Sequence, residues 1–119
     1  MARRAAPQRS RLGPPKRFEV YVVRLDPTLG AEIGKTRPAV AISPNEANEA
    51  LNTVIVAPLT SVRRAWPTRV PVKVGAVAGD IALDQMRAVD KKRLAQRIGV
   101  LQASEIRAML ERLAELFAE

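Results

Sequence analysis

From Phe18 onward the apolar residues fall into short runs broken by turn-forming residues. Phe18-Glu-Val-Tyr-Val-Val-Arg-Leu25 alternates and is rich in β-branched and aromatic side chains, which predicts a strand. Asp26-Pro27-Thr28-Leu29-Gly30 carries turn chemistry, and the polar stretch through Lys35 reads as a long loop. Pro38–Ile42 and Thr53–Ala57 are continuous apolar runs short enough to be buried strands. Between them Ser43-Pro44-Asn45-Glu46 predicts a helix start, with Ser43 as cap and Pro44 at the first helical position. Val70-Pro-Val-Lys-Val74 alternates, and its Pro71 places it at a sheet edge or strand start. Ile81–Leu83 and the run opening at Met86, separated by Asp84 and Gln85, form a further strand region. The period then changes. Ile106, Met109, Leu110, Leu113, Leu116 and Phe117 line one face of an α-helix, with Glu105, Arg107, Glu111, Arg112 and Glu115 on the other. Its cap is Gln102 or Ser104, and the apolar stripe packs on the domain or on a partner subunit. Many short strands closed by one helix predict an α+β domain, a small partly open barrel.

Charge redraws the chain's boundaries. The 119 residues hold 20 Lys+Arg and 12 Asp+Glu, a net charge of +8. Six of those charges (Arg3, Arg4, Arg9, Arg11, Lys16, Arg17) lie in residues 1–17, which contain no acid and one large apolar residue, Leu12. Such a segment cannot bury enough surface to offset its chain entropy, so residues 1–17 read as a disordered basic arm and residues 18–119 as the folded domain. No apolar run is long enough for a secretory signal core or a membrane span, so the expectation is a cytoplasmic protein with no membrane association. The chain has neither Cys nor His. That excludes a disulfide framework, a thiolate nucleophile, Cys-ligated metal centres and every catalytic arrangement built on imidazole. Chemistry here runs on Arg, Lys, Asp, Glu, Ser, Thr or Tyr.

Four segments in order resemble the MazF/PemK family of toxins. Leu25-Asp-Pro-Thr-Leu-Gly-Ala-Glu-Ile-Gly-Lys-Thr-Arg-Pro-Ala-Val40 is similar to the first family signature, a strand, a loop and Arg-Pro-Ala-Val. Val54-Ile-Val-Ala-Pro-Leu-Thr-Ser61 resembles the second, and Ala82-Leu-Asp-Gln-Met-Arg-Ala-Val-Asp-Lys-Lys-Arg-Leu94 the third. Ile98-Gly-Val-Leu101 followed by an amphipathic helix matches the fourth. The resemblance spans residues 18–118. It implies an SH3-like, partly open antiparallel β-barrel with a short helix after the second strand and a C-terminal helix. It further implies a homodimeric, sequence-specific endoribonuclease acting on single-stranded RNA with no metal and no cofactor, neutralised by a cognate antitoxin with an acidic disordered segment. Two rivals share the evidence: a CcdB-like toxin that binds gyrase without nuclease activity, and a non-catalytic basic RNA- or DNA-binding module.

Metal-free RNA cleavage needs a base for the 2′-hydroxyl, an acid for the departing 5′-oxygen and a cation on the phosphate. Arg37, between the polar loop and a buried strand, is the cation candidate, able to grip phosphate oxygens with its planar fork. The competing reading pairs Arg37 with Glu32 as a loop staple. The resemblance implies catalytic roles for Arg37 and for Thr60, which otherwise reads as a strand-end turn residue. It also makes Glu32 and Asp84 candidate bases. In the branch of the family that uses the aspartate, an Arg stands two residues before it; here that position is Ala82, so the Asp–Arg pairing is expected to be lost. Gln85 reads as a structural turn residue or an RNA contact. Lys35, Thr36, Ser61, Arg63, Arg64 and Trp66 are candidate RNA contacts, with cations for the backbone and aromatic or guanidinium planes for splayed bases. The alternative for Trp66 is folding back onto the barrel. Lys91, Lys92, Arg93 and Arg97 read as a solvated face.

Overall fold

The computed structural model describes residues 13–119. Seven strands form one antiparallel sheet: β1 (Glu19–Arg24), β2 (Thr36–Ala41), β3 (Thr53–Thr60), β4 (Arg69–Val74), β5 (Val77–Ala82), β6 (Arg87–Asp90) and β7 (Leu94–Val100). Helix α1 (Asn45–Ala50) joins β2 to β3, and α2 (Ala103–Leu116) closes the chain. Two 3-10 turns, Leu83–Gln85 and Lys91–Arg93, flank β6.

The strand order is β4-β5-β3-β2-β1-β7, with β6 also paired to β3. One edge of β3 is therefore shared: Thr53–Val56 pair with β6, and Leu59 and Thr60 pair with β5. The sheet curls until its ends meet. Gly99 of β7 lies so close to Val74 of β4 that a Cβ on the glycine would collide with the valine side chain. No ladder joins β4 to β7 among the described residues, so the barrel is partly open, as expected.

Alternation along each strand gives the sheet two buried faces. Val20, Val40, Ala57, Leu59, Val70, Val72, Val74 and Ile81 face the barrel interior, where α2 inserts Met109. Tyr21, Val23, Leu25, Ala39, Ala41, Val54, Val56 and Val89 form a second apolar layer on the opposite face, joined by Ile33 from the β1–β2 loop. This outer face turns polar where β3 passes from β6 to β5. There Arg37, Thr60, Asp80 and Arg69 take the positions that alternation assigns to that side.

Several elements differ from the pattern-based expectation. Strand β3 runs on through Pro58 to Thr60: Pro58 falls between the β6 pairing, which ends at Val56, and the β5 pairing, which opens at Leu59, so its missing N–H interrupts neither of those ladders. Strand β7 carries only one buried residue, Leu94, and so has no hydrophobic signature; it forms by backbone pairing with β1, with register shifts. Ser43 does not cap α1. Its hydroxyl donates to Asn48 Oδ1 (2.5 Å) and accepts from Ile55 N–H (3.0 Å), tying α1 to β3. Helix α2 starts after Gln102, whose N–H donates to Glu105 Oε1 at 2.8 Å while Glu105 Oε2 accepts Lys73 N–H from β4 at 2.8 Å. The domain also begins before Phe18. Pro15 is buried, Lys16 N–H donates to the Tyr21 hydroxyl (3.2 Å), and Arg17 reaches Asn45 Oδ1 (2.8 Å) and the Ile42 carbonyl (2.8 Å). The rest of the expected basic arm, residues 1–12, lies outside the described residues.

Candidate active site

The β2–β3 ladder ends at the pair Ala39–Pro58, beyond which β2 extends back to Thr36 and β3 on to Thr60. Continued by two residues, that register sets Arg37 opposite Thr60, just past the last paired residues. Arg37 is also the register partner of Val23, and Thr60 that of Asp80. The Thr60 residue is buried, and its Oγ1 accepts the Val62 N–H at 3.1 Å. With that lone pair engaged, the hydroxyl's own proton is free to donate. Arg37 Nε donates to the Gly34 carbonyl at 3.0 Å, which fixes the base of the side chain. Its two terminal nitrogens have no hydrogen-bond partner among the described residues.

The staple reading of Arg37 with Glu32 does not hold. Glu32 is exposed, and its Oε1 instead accepts Leu29 N–H at 2.8 Å within the same loop. The loop is tied across the sheet by Ile33 N–H donating to Gln85 Oε1 at 3.2 Å, so Gln85 serves as a brace between the β1–β2 loop and the Leu83–Gln85 turn. Lys35, Thr36 and Ser61 are exposed at the rim of the Arg37–Thr60 pair.

Asp84 has an arginine partner after all. The expectation that Ala82 leaves it unpaired is corrected: Arg69, from the start of β4, supplies the guanidinium, Nε to Oδ1 at 2.9 Å and Nη2 to Oδ2 at 3.5 Å. Thr68 Oγ1 adds a hydrogen bond to Oδ1 at 2.9 Å. Strand pairing puts Arg69 opposite Ala82, so β4 replaces across the ladder what the chain lacks two residues upstream. Burial works to raise the Asp84 pKa, but hydrogen bonds from Arg69 and Thr68 outweigh it and hold the carboxyl below its ordinary value. An ionised carboxylate held this way is a weak proton acceptor. Asp84 is built to fix Arg69.

Arg69 in turn carries Trp66. Its guanidinium carbon stands 4.7 Å from the indole centroid, and that of Arg64 stands 5.7 Å away. Trp66 stays half exposed, 49%, on this arginine support and is not folded into the barrel. Arg63 is exposed beside it, with Nε 3.5 Å from Asp80 Oδ1. Asp80 is a site residue that sequence reasoning missed. Its signal was faint, an acid inside an otherwise apolar strand. The basic cluster at the other end of the sheet is partly structural: Arg93 Nη1 holds the Arg24 and Asp26 carbonyls, and Arg97 pairs with Glu19 at 2.6 Å. Among the described residues no group of three or more acids or other ligands gathers as a metal site. No helix among them is long and apolar enough to cross a membrane.

A curled antiparallel half-barrel with a C-terminal helix, bearing an arginine, a hydroxyl and a basic aromatic loop at one polar end, defines the structural class. A family profile described as PemK-like, MazF-like toxin of type II toxin–antitoxin system matches residues 16–117. The chain belongs to that family. It is 36% identical over 97 residues to the endoribonuclease MazF of Staphylococcus epidermidis, covering 76% of this chain and 81% of that protein. Among solved structures, MazF from Deinococcus radiodurans superposes with a TM-score of 0.78 at 25% identity, over 87% of this chain and 96% of that one. An endoribonuclease from a mycobacterial species, in complex with its cognate antitoxin, shares the fold with a TM-score of 0.73 at 24% identity, over 85% of this chain and 92% of that one.

Proposed function

We propose that this protein is an endoribonuclease toxin that cuts single-stranded RNA at the Arg37–Thr60 pair and is neutralised by a cognate antitoxin. Family membership and likeness to the staphylococcal endoribonuclease support the activity. What supports the site is the β2–β3 register, which continued past Ala39–Pro58 sets Arg37 opposite Thr60, with the arginine's terminal nitrogens unengaged among the described residues and the threonine's proton free.

The chemistry follows from those groups. The arginine fork binds the non-bridging oxygens of one phosphate, and the Thr60 hydroxyl donates to the same group. Charge that builds on phosphorus during attack meets donors already in place. The 2′-oxygen attacks phosphorus as its proton passes to Glu32, the exposed carboxylate of the loop leading into Arg37. The P–O5′ bond breaks, leaving a 2′,3′-cyclic phosphate, and the released 5′-oxygen takes a proton from water. The nucleophile belongs to the substrate, so this scheme calls for no metal. Lys35, Thr36, Ser61, Arg63 and Arg64 line the RNA path, and Trp66 offers a stacking face.

The working form is a homodimer. The apolar stripe of α2 is buried at Met109 but uncovered at Leu110, Leu116 and Phe117, the last 71% exposed, which supports a second copy packing there. The antitoxin's acidic segment would lie along the arginine-lined path that RNA uses. An RNA-cutting activity suits a cytoplasmic protein, and the folded domain takes in the chain from Pro15 onward, with Arg3, Arg4, Arg9 and Arg11 in the basic segment before it. Incubation of the protein with a long RNA in EDTA, followed by sequencing of the new 5′ ends, tests the reading. Arg37→Ala and Thr60→Ala each slow cleavage by about 10²-fold or more with the fold intact. Undiminished cleavage in both variants would sink the assignment; RNA bound but never cut would leave a binding module instead.

A further inference from the structure

Asp80 is the one buried carboxylate near the proposed site that the cleavage scheme does not use. It is 2% exposed and stands directly across the β3–β5 ladder from Thr60. Its Oδ2 accepts the Arg64 N–H at 3.0 Å. Its Oδ1 has no hydrogen bond among the described residues, although the Arg63 guanidinium stands over it with Nε at 3.5 Å. A carboxylate so placed is costly to bury unless positive charge stays close.

The chain above it has little else to hold it. Residues 61–67, which leave the sheet at Thr60, are all exposed, so no apolar burial anchors them. The far end of the loop is pinned by Asp84 through Thr68 and Arg69. The near end is pinned by Asp80. The two acids thus bracket the segment that carries Arg63, Arg64 and Trp66.

How Asp80 binds matters as much as where. It takes the backbone of Arg64 and leaves that side chain to lie against Trp66. It faces the Nε edge of Arg63, whose side chain is 55% exposed and whose two terminal nitrogens have no hydrogen bond among the described residues. A guanidinium can serve a carboxylate on one edge and a phosphate on the other, which an ammonium cannot do with fixed geometry. We infer that Asp80 is a positioning residue for RNA binding: it aims the terminal nitrogens of Arg63 at the phosphate next to the one gripped by Arg37 and Thr60, and holds the Arg64–Trp66 pair in register with it. Preorganisation of this kind lowers the ordering cost of binding and leaves the chemical step alone. The inference rests on the proposed nuclease reading and deepens it.

Asp80→Asn is the informative variant. It is nearly isosteric, and the amide oxygen still accepts the Arg64 N–H, but the neutral group no longer attracts Arg63. A dye–quencher RNA carrying a site mapped from the parent protein's own cleavage products reports KM and the single-turnover rate at saturation. Fluorescence of Trp66, the chain's single tryptophan, reports binding. The expected result is a KM raised on the order of tenfold with the saturated rate unchanged. The slope of log affinity against log salt should fall by about one as a phosphate contact is lost. Arg63→Lys should behave like Asp80→Asn, and the double variant should be no worse than either single one.

Asp80→Asn binding RNA as tightly as the parent, or more tightly as removal of a negative charge beside a polyanion would give, overturns the inference. So do additive effects in the double variant. Both variants are compared below their unfolding temperatures, and a loss confined to stability also counts against the inference. Parent protein that cleaves while Asp80→Asn is unaltered leaves the nuclease reading standing; parent protein that neither binds nor cuts RNA removes both.

Discussion

Replacing Asp84 by alanine strips the one carboxylate that the described residues bring to a guanidinium with almost no access to water. The Arg69 side chain is 8% exposed and that of Asp84 28%. In the folded protein Arg69 bonds both carboxylate oxygens, reaches the Val62 carbonyl with Nη1 at 3.5 Å and underlies Trp66. Removing one member of a fully buried ion pair costs about 3–5 kcal/mol, since the remaining charge loses its compensation. Water reaches the Asp84 side, so the expected loss is smaller, about 2–3 kcal/mol. For a chain of this size that lowers Tm by about 8–12 °C. Urea unfolding followed by Trp66 emission and far-UV circular dichroism measures it, the two probes agreeing if the transition is two-state. Removing the charge as well, in Asp84→Ala with Arg69→Met, should recover most of the loss, because no buried cation is left to solvate. Acid titrates the same contribution. The Asp84 pKa is lowered in the folded state, so its stabilisation is present above the unfolded carboxyl value of about 4 and disappears as pH falls through the folded one. Parent and Asp84→Ala should therefore converge in acid. An Asp84→Ala protein within about 0.5 kcal/mol of the parent at neutral pH, or a double variant no better than the single one, would refute the reasoning.

Two further outcomes test the frame around the site. Gly79→Ala would bring a Cβ to 2.6 Å from the Thr60 carbonyl, and backbone must yield; unfolding titrations should show a loss of about 1–3 kcal/mol, with RNA cleavage reduced at temperatures where the variant stays folded. Tyr21, the sole tyrosine, is pushed up to about 12 by burial and by its hydrogen bond to Glu19 Oε1 at 2.5 Å. Its phenolate absorbance should emerge near that value and not near 10, and the stability it contributes should hold below the unfolded pKa and vanish as pH rises through the folded one.

The resemblance motifs and the local periods carried much of the fold. Alternation marked β1 and β4, continuous apolar runs marked β2 and β3, and the helical stripe marked α2, because each of these signals lives within one element. Strand β7 left no such trace: its residues are mostly exposed and its partner is β1, distant in the chain. At the site, Arg37 and Thr60 were legible as residue types at the ends of buried runs. Glu32 was legible too, but its link to Leu29 in place of Arg37 was not.

By itself the sequence determined the chemical vocabulary. A chain with no His and no Cys has only arginines, hydroxyls and carboxylates to work with, and the order of its motifs assigns it to a toxin family. Tertiary structure decided the pairings. It aligned the strand ends that carry Arg37 and Thr60, gave Asp84 an arginine from β4 when Ala82 could supply none, and buried Asp80 beneath Arg63. Periods of 2 and 3.6 residues specify which way a side chain points within its own element. Which charge stands opposite it depends on ladder register and on how far the sheet curls, and both are set by packing between segments far apart in the chain.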